Sequence, residues 1–167
     1  TEGSSDDIEG DADLGFSFRS FPCKSRVSVE FAERLYSLRN FKSTLSLIGE
    51  SGTHFRLICE DIRNFYDSEN EHFLYFSLGS FDAEQVLSMF EEAKKARAER
   101  VTCVLLDVEL MSDEQKRLAV SLSKCEGDFE LIETASRTIF CVSGDLDSLF
   151  GEGRIDENLY ILMGTAE

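Results

Sequence analysis

Short apolar runs alternate along the chain with stretches of helical period. The runs Leu45-Ser46-Leu47-Ile48, Phe73-Leu74-Tyr75-Phe76-Ser77-Leu78, Val101-Thr102-Cys103-Val104-Leu105-Leu106 and Phe129-Glu130-Leu131-Ile132 recur about every 28 residues. Runs of this length bounded by polar segments predict buried strands. Between them, residues 53–67 place Phe55, Ile58, Ile62 and Phe65 on one face, and residues 82–98 do the same with Val86, Phe90 and Ala93. That spacing predicts amphipathic helices. An earlier helix is predicted over 28–40, with Phe31, Leu35 and Leu38 inward.

Two helix starts are marked chemically. Asp82 stands as N-cap with Gln85 at the third helical position, and Phe81 and Val86 occupy the two places of a hydrophobic staple. Ser112 and Gln115 have capping-box spacing and open a helix whose Leu118, Leu122 and Cys125 share a face, ending near Gly127. Runs 73–78 and 101–106 are apolar on both faces, as central parallel strands covered on each side are. The fold class is therefore α/β, a three-layer sandwich with a mostly parallel central sheet. A 28-residue period also suits leucine-rich repeats, but these leave alternate strand side chains open to solvent and need capping repeats, neither of which is evident.

Composition narrows the reading. The 167 residues are 42% hydrophobic with a single Pro, enough for one domain that buries roughly 70% of its unfolded surface. The net charge is −16. Residues 1–14 hold six acids and no base and read as a solvated leader or linker, leaving −10 for a domain over 15–167. This balance opposes direct binding to nucleic acid or anionic lipid and leaves a protein partner. The five cysteines include no CxxC and are accompanied by two histidines, so neither a metal site nor a disulfide framework is expected. Most sit among apolar residues, which fits reduced core thiols in the cytoplasm. Glu91 and Lys95 are spaced as a helical surface pair.

The chemistry concentrates in three segments. Gly49-Glu50-Ser51-Gly52-Thr53 joins a strand to a helix, the setting in which backbone amides hold an anion; the alternative is an ordinary turn with Ser51 or Thr53 capping the helix. Asp107 ends the run Val101–Leu106, where a carboxylate holds magnesium in a Walker B strand. The third is Gly144-Asp145-Leu146-Asp147-Ser148-Leu149-Phe150-Gly151-Glu152-Gly153-Arg154-Ile155-Asp156-Glu157-Asn158-Leu159-Tyr160. In this order, with the intervening helices and strands, the segments resemble the AAA+ domain of bacterial enhancer-binding proteins, the sigma-54-dependent activators, over roughly residues 28–163. The glycine loop resembles a Walker A start, and the last segment is similar to that family's "GRFREDLYYRL".

The resemblance implies a P-loop NTPase fold, and it implies what is missing from it. The family loop continues with Gly-Lys, whereas His54 and Phe55 follow here. The Walker B acid pair becomes Asp107-Val108, with Glu109 next; alternation along a strand sends Val108 and Glu109 to opposite sides, so Glu109 is not expected to substitute. The sensor position after the following strand, 129–134, matches Ser136. Arginine-finger places fall on Asp156 and Leu162, while Arg154 matches a preceding arginine. The family's GAFTGA insertion has no room between residues 98 and 101, and the helical lid is expected to be missing.

The expected function is a catalytically inactive AAA+-like regulatory domain that binds proteins, itself or an intact AAA+ activator, without a cofactor. Two alternatives stay open. One is weak ATP binding or hydrolysis by Gly49–Thr53 with Asp107. The other is a receiver-like phospho-switch, because VTCVLLDVELM also resembles a phosphoacceptor strand, with Thr134 as the later hydroxyl; it lacks that family's acidic pair and late lysine.

Overall fold

The computed structural model of the protein describes residues 26–41, 43–64 and 71–165; the acidic leader, Cys23 and Phe65 lie outside them. The elements are α1 (Arg26–Ser37), β1 (Thr44–Gly49), α2 (Phe55–Asn64), β2 (Glu71–Phe76), α3 (Ala83–Lys95), β3 (Arg100–Leu105), α4 (Asp113–Lys124), β4 (Ala135–Ser143), α5 (Leu146–Gly151) and α6 (Glu157–Thr165), with short 3-10 turns at 38–40, 108–110 and 127–129. They form two compact units. One contains α1 and α2 beyond Phe55, where Ala32, Leu35, Ile58, Cys59 and Ile62 are buried. Phe31, expected inward, is exposed, and Ala32 takes the buried place beside Leu35.

The second unit holds a parallel four-stranded sheet in the order β1-β4-β3-β2, with α3 to α6. This is the α/β class expected. β3 is central and buried on both faces: Val101, Cys103 and Leu105 join a core with Phe76, Val86, Phe90, Phe140 and Leu159, while Thr102 and Val104 point the other way and are equally buried. Burial raises the Cys103 thiol pKa far above its ordinary value. β2 lies at the edge of the described sheet, half-buried over most of its length, and is not the central strand its composition suggested.

The capping signals are realised. The Asp82 side chain accepts from the Gln85 amide at 2.9 Å, and Phe81 and Val86 are buried behind it. Ser112 and Gln115 form the reciprocal box, and Gln115 Nε2 also donates to the Leu78 and Phe81 carbonyls. α4 ends on Cys125 in the left-handed region (φ 53°), which turns this thiol outward. It was expected on the core face. On α3, Lys94 pairs with Glu133 at 3.5 Å, where Glu91 with Lys95 was expected.

The largest correction concerns the fourth strand. Residues 129–134 contain no strand: Phe129 closes a 3-10 turn and is fully buried, while Leu131 two positions on is 91% exposed. The strand is Ala135–Ser143, whose Arg137–Val142 is continuously buried. Hydrogen bonding to both β1 and β3 selects it, and a regular 28-residue step in the sequence does not.

At the starting end of the sheet lies a buried charge cluster. Arg137, 1% exposed, pairs with Glu71 Oε1 at 2.9 Å, donates to Thr102 Oγ1 and the Phe41 carbonyl, and stacks on the Phe41 ring. Glu71 also accepts from Arg100 and from the Thr102 hydroxyl.

Candidate functional site

The finishing ends of β1, β3 and β4 meet in a cleft of about 610 Å³ lined by residues 51–55 of the glycine loop, Asp107, Glu109, Leu110, Ser143, Gly144 and Arg154. In an open parallel sheet this end is where ligands bind. The glycine loop, Asp107 with Glu109, and Arg154 converge there, whereas Ser136 and Asp156 do not line it.

The glycine loop is closed on itself. The Thr53 amide donates to the Glu50 carbonyl at 3.1 Å, the Thr53 hydroxyl donates to the same oxygen at 2.6 Å, and Gly52 sits at φ 90°. This is a β-turn with glycine at the one position that demands positive φ, a type II arrangement. The Phe55 amide donates to Thr53 O. Two of the loop's amides thus point inward. A Cβ on Gly49 would lie 2.8 Å from Thr53 Oγ1, so glycine is required where the strand leaves the sheet. Phe55, in the lysine place, is buried at the start of α2, and His54 is exposed.

Beyond β3, Asp107 is exposed and in the left-handed region (φ 56°), and a 3-10 turn follows over Val108–Leu110. The alternation expected for residues 108 and 109 does not operate, because the strand has ended at Leu105. Glu109 is instead turned into the cleft wall, buried, with Oε1 accepting from the Ser143 amide at 3.0 Å. Glu109, expected with Asp107 as a vestigial Walker B pair but not as a simple substitute for its glutamate, reaches the cleft and is engaged in holding the end of β4.

Ser136 is not in the cleft. It pairs with Val101 near the start of β4, seven residues before the cleft-lining Ser143, or about 23 Å of strand at roughly 3.3 Å per residue. The fourth strand ends on Ser143, and Gly144 follows it at the cleft. Thr134 likewise precedes β4, at the opposite end of the sheet from Asp107, which removes the geometry of a receiver site.

Arg154 lines the cleft and pairs with Glu152 at 3.3 Å, with both side chains more than half exposed, so the pair is weak. Asp156 is an N-cap: its Oδ1 accepts from the Leu159 amide at 2.8 Å and its carbonyl from the Tyr160 amide, starting α6. Tyr160 stacks on Phe150 with centroids 4.5 Å apart and donates its hydroxyl to Asp147, and this hydrogen bond raises the phenol pKa.

The fold has solved counterparts. The P-loop NTPase domain of the sigma-54 transport activator from E. coli is 22% identical, with a TM-score of 0.59 over 86% of this chain and 93% of that one. NtrX from Brucella abortus is 16% identical with a TM-score of 0.62 over 84% of this chain; the chain spans 35% of that protein. NtrX solved in complex with ATP is 15% identical with a TM-score of 0.54, covering 81% and 33% of the two chains. No curated protein matches. A family profile described as "Sigma-54 interaction domain" matches residues 23–166. That match spans nearly the whole chain and agrees with the motif order and the parallel sheet, so the chain belongs to the sigma-54 interaction domain family, an AAA+ domain related to transcription regulation.

Proposed function

We propose that this domain does not turn over ATP and works as a regulatory protein-interaction module in bacterial signalling or transcription control. The observation that carries the reading is Phe55, a buried aromatic ring at the start of α2 in the place where the glycine loop would need a lysine. A phosphoryl transition state is stabilised by cations held at its oxygens, and an aromatic ring offers none. Three further features support the reading. The loop is folded as a turn with its Thr53 amide donating inward; Glu109 is occupied with the Ser143 amide; and Asp156, at a finger position, caps a helix. The domain acts in the cytoplasm, on itself or on an intact AAA+ activator.

A second reading, weak nucleotide binding or hydrolysis, is favoured by the convergence of Asp107, Glu109 and Arg154 on the loop cleft. Isothermal titration with ATP and Mg²⁺ together with a phosphate-release assay separates the two. The expected result is neither micromolar binding nor turnover; clear binding with turnover overturns the first reading.

A further inference from the structure

Two cavities away from the loop cleft share Asp128 and follow one flank of α3. The first, about 610 Å³, opens at the starts of α3 and α4 and includes Leu78, Phe81 and Leu118. The second, about 340 Å³, continues beside the later turns of α3 and includes Leu87, Phe90, Leu131 and Ile132. Leu131 is 91% exposed while its neighbour Phe129 is fully buried, so the segment is anchored with one large apolar side chain held outward at the groove. The 13 residues of α3 set a length of about 20 Å, which three to four turns of a second helix would match.

The rim is predominantly acidic. Asp82, Glu91, Glu114, Asp128 and Glu133 line the two cavities, against Arg117 and Lys94, and Lys94 is tied to Glu133 at 3.5 Å. In a chain of net charge −16, such a rim repels an acidic occupant, including a second copy of this chain, and attracts a basic one.

We propose that this groove docks an amphipathic helix of a partner protein whose apolar stripe is flanked by lysine or arginine. The inference rests on the interaction-module reading and deepens it by naming the partner's chemistry. The first cavity mixes Leu78 and Leu118 with Ser112, Gln115 and Ser121, so affinity comes chiefly from the second, where Leu87, Leu131 and Ile132 offer apolar contact, as in other helix-in-groove contacts. The exposed rim carboxylates supply selection and association rate more than strength.

The test titrates the full chain, by fluorescence anisotropy, with three labelled helical peptides of about 14 residues. One carries leucines at helical spacing flanked by lysines, a second replaces each lysine by glutamate, and a third scatters the leucines around the helix. The lysine peptide is expected to bind at least about tenfold more tightly than either relative, and to weaken as salt rises. Leu131→Asp, and separately Glu91→Lys with Glu133→Lys, are each expected to weaken it by about fivefold or more with an unchanged circular-dichroism melt, since these side chains lie at the surface. Equal affinity for all three peptides, no binding of the lysine peptide at about 1 mM, or a homodimer in sedimentation that Leu131→Asp dissociates would each overturn the proposal. No nucleotide is present in this assay. ATP turnover would therefore sink the module reading and leave the groove result standing, whereas a silent groove in a chain without turnover sinks the groove alone.

Discussion

Replacing Glu71 by Gln tests the buried charge cluster directly. The carboxylate takes Arg100 Nε and Nη2 at 2.9 and 2.6 Å, the Thr102 hydroxyl at 2.7 Å and the Arg137 guanidinium at 2.9 Å. An exposed pair of this kind contributes about 0–1 kcal/mol. Here the side chains of Glu71 and Arg137 are 7% and 0% exposed, which places the pair in the other regime. Removing one partner deprives a desolvated guanidinium of the Glu71 charge and costs about 3–5 kcal/mol. In a domain of this size that lowers Tm by about 6–20 °C. Urea denaturation is the assay, read as a fall in midpoint at unchanged slope. Arg100, at 28% exposure, is better solvated, and Arg100→Ala is expected to cost only about 1 kcal/mol. The pair Glu71→Leu with Arg137→Met, which removes both charges, is expected to recover much of the loss. A Glu71→Gln protein within about 1 kcal/mol of the parent would refute the reasoning.

Other outcomes follow from the same geometry. Ser112→Ala removes the acceptor for the Gln115 amide and is expected to cost about 1 kcal/mol by thermal melt. Gly49→Ala is expected to cost about 1–3 kcal/mol because its Cβ meets Thr53 Oγ1 at 2.8 Å, with Thr53→Ala restoring most of it; equal losses with and without the second change would show that the contact is not the cause. Tyr160 has a raised pKa in the folded state, so its hydrogen bond to Asp147 stabilises the fold fully below the unfolded tyrosine pKa and is lost as pH rises through the folded value; an ultraviolet titration of the protein against Tyr160→Phe should place its ionisation above that of the unfolded chain. His54→Gly with Phe55→Lys is expected to raise ATP affinity at least about tenfold by isothermal titration, because Asp107 and Glu109 already line the same cleft.

Local signals in the sequence were reliable where they were chemical. Asp82 with Gln85 and Ser112 with Gln115 marked helix starts because the side chains that satisfy end amides are few and their spacing is fixed. The parallel class was legible from the doubly apolar run at Val101–Leu106. What was illegible was set by pairing over long separations. The apolar run Phe129-Glu130-Leu131-Ile132 predicts a strand, but the ladder to β1 and β3 forms over Ala135–Ser143. That one difference leaves Ser136, expected after the fourth strand, near its start. Glu109 was misread for a related reason: the strand stops at Leu105, the left-handed Asp107 redirects the chain, and period-2 reasoning was carried past the point where it holds.

The cap at Asp156 limits which side chains that position can hold. Putting arginine there would strip the Leu159 amide of its acceptor and set a positive charge at the positive end of α6, a penalty of about 0.5–2 kcal/mol. Selection for a well-folded domain by itself therefore opposes a cation at that position, whatever else the domain does.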